Sequence, residues 1–98
     1  MTLLSIQHRV ADFDTWKRTF DGDPLDRATK GVVEHAIYRP PGDPHQVLVH
    51  LLFDTREAAE GMLTALQELW GREGARIGFG DTSAVQARIL DEVENVVY

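Results

Sequence analysis

The stretch Gln46-Val47-Leu48-Val49-His50-Leu51-Leu52-Phe53 is the most apolar run in the chain. Its length and its wealth of valine and leucine predict a central strand rather than a buried helix. The segment Pro40-Pro41-Gly42-Asp43-Pro44 precedes it, and its prolines cannot donate to a strand ladder. This segment therefore predicts a turn, and residues 32–39 before it are expected to pair with the apolar run as a hairpin.

Three further elements flank this hairpin. Residues 3–10 and 85–93 alternate between two sets of side chains, which is the period of a strand. Residues 12–21 have the spacing of an amphipathic helix, and Asp12 is a favourable N-cap. The apolar face of this helix comprises Phe13, Trp16 and Phe20.

A second helix follows the apolar run. Asp54 and Glu57 have the spacing of a capping box, which predicts that the helix begins there. The apolar residues at helical spacing are Ala58, Ala59, Met62, Leu63, Leu66, Leu69 and Trp70. The glycine-rich residues 71–80 then predict a loop, either a lid over a cavity or an ordinary surface connection.

The order strand, helix, strand, strand, helix, strand predicts a ferredoxin-like α+β sandwich with a four-stranded antiparallel sheet. A chain of 98 residues can bury one modest core, so residues 1–98 are expected to form a single domain. Val47, Val49, Leu51 and Phe53 are expected to face both helices.

Composition excludes several classes of protein. The formal net charge of -6 argues against nucleic-acid binding, and the absence of cysteine excludes disulfides and cysteine-based metal sites. No apolar run has the length of a secretory core or a membrane span. We therefore expect a cytoplasmic protein without a membrane or nucleic-acid partner.

The sheet face opposite the helices predicts an interface. It is expected to carry Leu48, His50 and Leu52, then Val33, His35 and Ile37, and, from the outer segments, Leu3, Ser5, Gln7, Arg9, Gln86, Arg88 and Leu90. Such a face is too apolar to remain in water and too polar for an ordinary core. Packing against a second copy would bury the leucines around a polar chamber, so we expect a homodimer. The apolar segment Val96-Val97-Tyr98 is expected to reach the partner.

The segment from His8 to Asp21, HRVADFDTWKRTFD, resembles the opening of small bacterial proteins of the dimeric α/β-barrel superfamily, which includes antibiotic-biosynthesis monooxygenase-like domains. Residues 47–59 and 87–94 agree with it. The resemblance implies a face-to-face homodimer with an inter-sheet cavity in each protomer. Its members differ in activity, from cofactor-independent oxygenation of polycyclic phenols to haem degradation and lactone isomerisation, so the fold does not choose among them. The second helix lacks the His or Asn of those enzymes, and no catalytic role is carried over.

His50 and His35 are the candidate catalytic residues. If the proline turn sets Tyr38 opposite Val47, the two histidines face each other within ~5.5 Å at Cβ. A neutral imidazole can abstract a phenolic proton or hold a substrate carbonyl. The alternative is a hydrogen-bonded pair that fills a polar interface, and a one-residue slip would place His35 against an apolar residue.

His8 could join these two histidines in a three-imidazole metal site. Its neighbours in the alternation, Leu4, Ile6 and Val10, place it instead on the helix side. Neither a metal nor a cofactor is therefore expected.

Gln7, Arg9, Gln86 and Arg88 are the candidate ligand-binding residues on the same face as His50. Two guanidinium groups can bind a carboxylate or an enolate oxygen. The alternative is that both arginines pair with carboxylates across the dimer.

Three functions stay open from the sequence. The first is a monooxygenase-like enzyme that acts without a cofactor on a small aromatic or polyketide-like molecule in a cavity on the sheet face. The second is a non-catalytic binder of such a molecule, and the third is a ligand-free dimerisation module. A cavity of ~300 Å³ or more would favour the first two.

Overall fold

The computed structural model describes residues 1–73 and 85–98. Its elements, in chain order, are β1 (Thr2–Arg9), α1 (Phe13–Asp21), β2 (Val32–Tyr38), β3 (Gln46–Phe53), α2 (Arg56–Glu73) and β4 (Gln86–Asp91). The strands form one antiparallel sheet in the order β2-β3-β1-β4. The predicted ferredoxin-like architecture is thus confirmed. The expected single domain over 1–98 stays a prediction, as does the lid at 71–80, most of which lies outside the described residues.

One face of the sheet packs against both helices. The alternate β3 residues Val47, Val49, Leu51 and Phe53 are all buried on this face, as predicted. The helices cover them with Trp16 from α1 and with Ala59, Met62, Leu69 and Trp70 from α2. Because burial of a large apolar side chain contributes about 1.5–3 kcal/mol, this layer holds the sheet and the helices together.

Side-chain caps determine where the two helices begin. The Asp12 carboxylate accepts a hydrogen bond from the Thr15 backbone N–H at 3.1 Å, as expected for the N-cap of α1. In α2 the Thr55 hydroxyl accepts from the Ala58 N–H at 3.2 Å. The predicted start at Asp54 is therefore one residue too early, because Thr55 supplies the cap.

The register of the β2–β3 hairpin differs from the prediction. Tyr38 lies opposite Leu48 rather than Val47, and an irregularity interrupts the pairing between Val32 and Glu34. Since side chains alternate along a strand, the one-residue difference moves the β2 side chains to the opposite faces. Glu34, Ala36 and Tyr38 therefore share the helix-free face with His50, and the expected placement of His35 and Ile37 there is wrong. Val33 lies within the irregularity and has no paired partner, so its placement stays a prediction.

Neither of the helices within residues 1–73 and 85–98 is long and apolar enough to cross a membrane.

Candidate functional site

A partly open cavity of about 70 Å³ lies between the helix side of the sheet and the two helices. Trp16 and Phe20 of α1 and Trp70 of α2 supply its aromatic walls, while Ile6 and His8 of β1 form part of its floor. Pro24, Leu25 and Arg27, in the irregular segment between α1 and β2, complete its rim. This space lies where α1, the segment after it and α2 meet over the sheet. The polar chamber expected on the helix-free face would form between two protomers, and it stays a prediction.

His8 is the buried polar group of this cavity. Its side chain is on the helix side of the sheet, as its apolar neighbours predicted, and the residue is only 2% exposed. The imidazole ring lies 5.5 Å from the Trp16 ring, centroid to centroid. Its Nδ1 donates to the Arg9 carbonyl oxygen at 3.3 Å. Burial lowers the pKa of His8, and the hydrogen bond to Arg9 opposes that shift to a smaller extent, so the neutral imidazole predominates at neutral pH.

The buried His8 should make the stability of the fold depend on pH. Its native pKa is lower than the 6.5 of an unfolded histidine, so the unfolded chain binds more protons once the pH falls below 6.5. The stability that His8 contributes is complete above that pH and declines as the pH falls toward the native pKa. Denaturant unfolding between pH 7.5 and the native pKa should show this decline in wild type and a flatter profile in His8→Gln.

Other groups offer a control for this measurement. The pKa values of the Asp12, Asp26 and Asp43 carboxyls are lowered from 3.8. Their protonation therefore reduces the stability of the fold only near and below that pH. His45 lies in an exposed position in the proline turn, and His45→Gln should keep the wild-type slope. A slope that survives in His8→Gln would contradict the assignment to His8.

The candidate catalytic histidines lie on opposite faces of the sheet. His35 pairs with Leu51 and its ring meets the edge of Phe20 at 5.1 Å on the helix side. His50 pairs with Ala36 and lies 5.3 Å from the Tyr38 ring on the helix-free face. The predicted facing pair is therefore wrong, and its cause is the shifted hairpin register. The catalytic roles of His50 and His35 stay predictions, now as two separate sites.

No group of three His, Asp or Glu side chains within residues 1–73 and 85–98 is arranged to hold a metal ion. His8 and His50 lie on opposite sides of the sheet, so the structure does not assemble the three-imidazole alternative.

The candidate ligand-binding residues share the helix-free face, as predicted. Gln7 and Gln86 lie opposite each other, whereas Arg88 lies opposite Ser5. Arg9 is four positions farther along β1 than Ser5, which separates the backbones at the two arginines by about 13 Å. The Arg9 guanidinium also lies 3.3 Å from an Asp43 carboxylate oxygen within the same chain. The two arginines are therefore not placed side by side to bind one group together, and ligand binding by these four residues stays a prediction.

Sequence reasoning missed the cavity-lining residues His8, Trp16 and Arg27 as site residues. His8 carried a usable signal, since it is the ionisable member of the buried face of β1. Trp16 was assigned to the core, which is correct, but its ring also faces the cavity. Arg27 carried no signal, because its position depends on the irregular path of the chain between α1 and β2.

Solved structures, but no sequence families, resemble this chain. No protein-family model and no curated protein matches the sequence. SnoaB, a cofactor-independent oxygenase from Streptomyces nogalater, matches with a TM-score of 0.72 and 11% identity over 97% of this chain and 95% of SnoaB. A monooxygenase from ActVA-Orf6 of Streptomyces coelicolor, in complex with nanaomycin D, matches with a TM-score of 0.65 and 10% identity over 99% and 91% of the two chains.

A dimeric ferredoxin-like protein from an uncultured marine organism also matches. Its TM-score is 0.61 at 12% identity, over 97% of this chain and 96% of the other. At such low identity the likeness concerns the fold. The chain therefore has the ferredoxin-like fold of these solved structures, and the predicted resemblance is confirmed as a likeness of fold.

Proposed function

We propose that the protein is a cytoplasmic homodimer in which each protomer binds a small aromatic or polyketide-like molecule between its sheet and its helices. The observation that carries this proposal is the cavity bounded by Trp16, Phe20 and Trp70, with the His8 imidazole in its wall. Apolar walls with a few convergent polar groups are the usual composition of a small-molecule site. The rings offer stacking surfaces, and a neutral imidazole can exchange a hydrogen bond with a phenol or a ketone.

The cavity, at 70 Å³, is well below the ~300 Å³ that would favour a ligand site by size alone, and its size restricts the ligand. Its 70 Å³ is about half the volume of an engineered apolar cavity, ~150 Å³, that holds benzene. A ligand with one or two rings therefore needs the lining side chains to move outward. Leu25 and Phe20 are only partly buried at the rim, so their displacement disturbs less packing than displacement of the fully buried Met62.

The helix-free face supports the homodimer. Leu52, Leu3 and Leu90 lie side by side across β3, β1 and β4, and Leu90 is 40% exposed. Tyr38, on the same face, is 54% exposed. Solved proteins with this fold include ones described as dimeric. A second copy of the same face matches it in size and in its mixture of apolar and polar side chains, and is therefore the partner that we propose.

Filling the cavity should block the ligand. Leu66 lines the cavity from α2 and is partly buried, so Leu66→Phe places a larger side chain in the space that the ligand would occupy. We expect wild type to bind indole, and Leu66→Phe to bind it at least about tenfold more weakly, a difference of about 1.4 kcal/mol. The measurement is an NMR titration of backbone amide shifts around His8 and Trp16.

Leu63→Phe is the matched control, because Leu63 is a partly buried leucine of the same helix that does not line the cavity. Equal indole affinity of the two variants would contradict the location of the site. An absence of shifts in wild type up to millimolar indole would favour the ligand-free dimerisation module instead.

An oxygenase is the second candidate, and the two oxygenases of the same fold favour it. In cofactor-independent oxygenation of a phenolic ring system, dioxygen supplies the oxidant: a ring CH₂ becomes C=O, and the second oxygen atom leaves as water. A base that removes the phenolic proton initiates this chemistry. His8 lies in the cavity and His50 on the other face. Oxygen consumption with a hydroxyanthrone, measured for wild type, His8→Gln and His50→Ala, shows which of the two histidines acts as the base. If wild type consumes no oxygen, the protein is a binder rather than an oxygenase.

A further inference from the structure

Arg27 lies at the rim of the cavity and is held there by three contacts. Its guanidinium carbon is 3.8 Å from the centroid of the Phe20 ring. Its Nη1 donates to the Phe20 carbonyl oxygen at 2.8 Å and lies 3.4 Å from a carboxylate oxygen of Asp23. The side chain is only 18% exposed. The guanidinium therefore has a defined position beside one of the aromatic walls.

The chain segment that carries Arg27 is itself held in an uncommon conformation. Asp23 and Asp26 both have a φ of 53°, in the left-handed region that residues other than glycine seldom adopt. Hydrogen bonds to their own carboxylates offset part of the cost of this conformation. Asp23 accepts from the Arg27 N–H at 2.9 Å, and Asp26 accepts from the Thr29 hydroxyl at 2.7 Å. Residues of this kind persist where the surrounding structure requires them, often at binding sites.

The charge of Arg27 is distinctive within the cavity. Among the described residues that line it, Arg27 is the only one with a formal charge at neutral pH, because burial keeps His8 neutral. Both polar contacts of the guanidinium use Nη1. Within residues 1–73 and 85–98, Nη2 and Nε have no hydrogen-bond partner, so donors remain for a ligand. A guanidinium presents such donors in a planar fork that fits a carboxylate or a phenolate.

We propose that Arg27 makes the cavity selective for aromatic anions, that is, for ring compounds that carry a carboxylate or a phenolate. This inference rests on the proposed function, since it assigns a ligand class to the same site. The aromatic walls take the ring, and the guanidinium at the rim takes the anionic group. The net charge of -6 disfavours anions over the protein as a whole, so a preference for an anion in this cavity has to come from Arg27, the one cationic side chain of its described lining.

A matched pair of probes tests the charge preference. Indole-3-carboxylate and indole-3-carboxamide have the same ring and nearly the same shape, and differ in charge. We expect wild type to bind the carboxylate at least tenfold more tightly by NMR titration, which corresponds to about 1.4 kcal/mol. Arg27→Gln should reduce the ratio to one or below, while Arg27→Lys should keep part of it because the positive charge is retained.

Arg18→Gln is the control, because it removes one positive charge from an exposed position on α1 outside the cavity and should leave the ratio unchanged. If wild type binds both probes equally, the inference about Arg27 is wrong while the proposed function stands. If indole and both probes fail to bind, the proposed function and the inference are both wrong. Should Arg27→Gln fail to fold, the ratio for Arg27→Lys decides: a ratio of one in this variant, which keeps the positive charge, would contradict recognition by charge.

Discussion

Leu52→Glu should convert the protein from a dimer to a monomer. Leu52 is half-buried on the helix-free face, next to Leu3 on the neighbouring strand. In the single protomer the new carboxylate can reach water, so the fold should persist. In a face-to-face dimer the same carboxylate would be removed from water beside Leu3, and burial of a charge is strongly unfavourable unless it is paired.

The expected effect is large because the interface of a symmetric dimer contains each residue twice. An unpaired buried charge costs about 3–5 kcal/mol, so the two copies together weaken the dimer by about 6–10 kcal/mol. That corresponds to an increase of at least about 10⁴-fold in the dissociation constant. Sedimentation equilibrium at micromolar concentration should show a dimer for wild type and a monomer for the variant.

Gln67→Glu provides the charge-matched control, since Gln67 is an exposed residue of α2 on the opposite side of the sheet. This variant should remain dimeric. A monomeric wild type, or a Leu52→Glu variant that stays dimeric, would show that the helix-free face is not the interface.

The element order could be predicted from the sequence because the strongest signals are local. Alternation in β1, the apolar run of β3, the N-cap at Asp12 and the prolines of the hairpin turn each depend on neighbouring residues. The register of β2 could not be predicted in this way. β2 is an edge strand without a regular alternation of buried and exposed residues, and the irregularity between Val32 and Glu34 has no signature in composition.

The location of the cavity escaped prediction for a different reason. Gln7 and Arg88 directed the prediction to a polar chamber between two protomers, whereas the cavity within one protomer is apolar and lies on the helix side. An apolar cavity has the same composition as a core, so periodicity cannot distinguish the two. Only the placement of the segment after α1, with Arg27 on Phe20, shows where packing is incomplete.

Trp16→Ala should be strongly destabilising, and indole should reverse part of the loss. The Trp16 ring is buried and lies 5.2–5.7 Å from the rings of His8, Phe13 and Phe20, so its removal leaves a large hole beside the existing cavity. Truncation of a buried tryptophan costs about 3–5 kcal/mol. For a chain of this size, the melting temperature should fall by at least about 12 °C.

Added indole distinguishes a ligand cavity from an ordinary core in this variant. A ligand that binds only the folded state at 100 times its Kd stabilises that state by about 2.7 kcal/mol. Because the enlarged cavity keeps the aromatic walls of Phe20 and Trp70, indole should raise the melting temperature of Trp16→Ala far more than that of wild type. Phe53→Ala is the control, since Phe53 is equally buried but does not line the cavity, and its loss of stability should persist with indole. Equal recovery of both variants would mean that indole fills any hole in the core, and no recovery of Trp16→Ala would contradict an accessible aromatic site at this position.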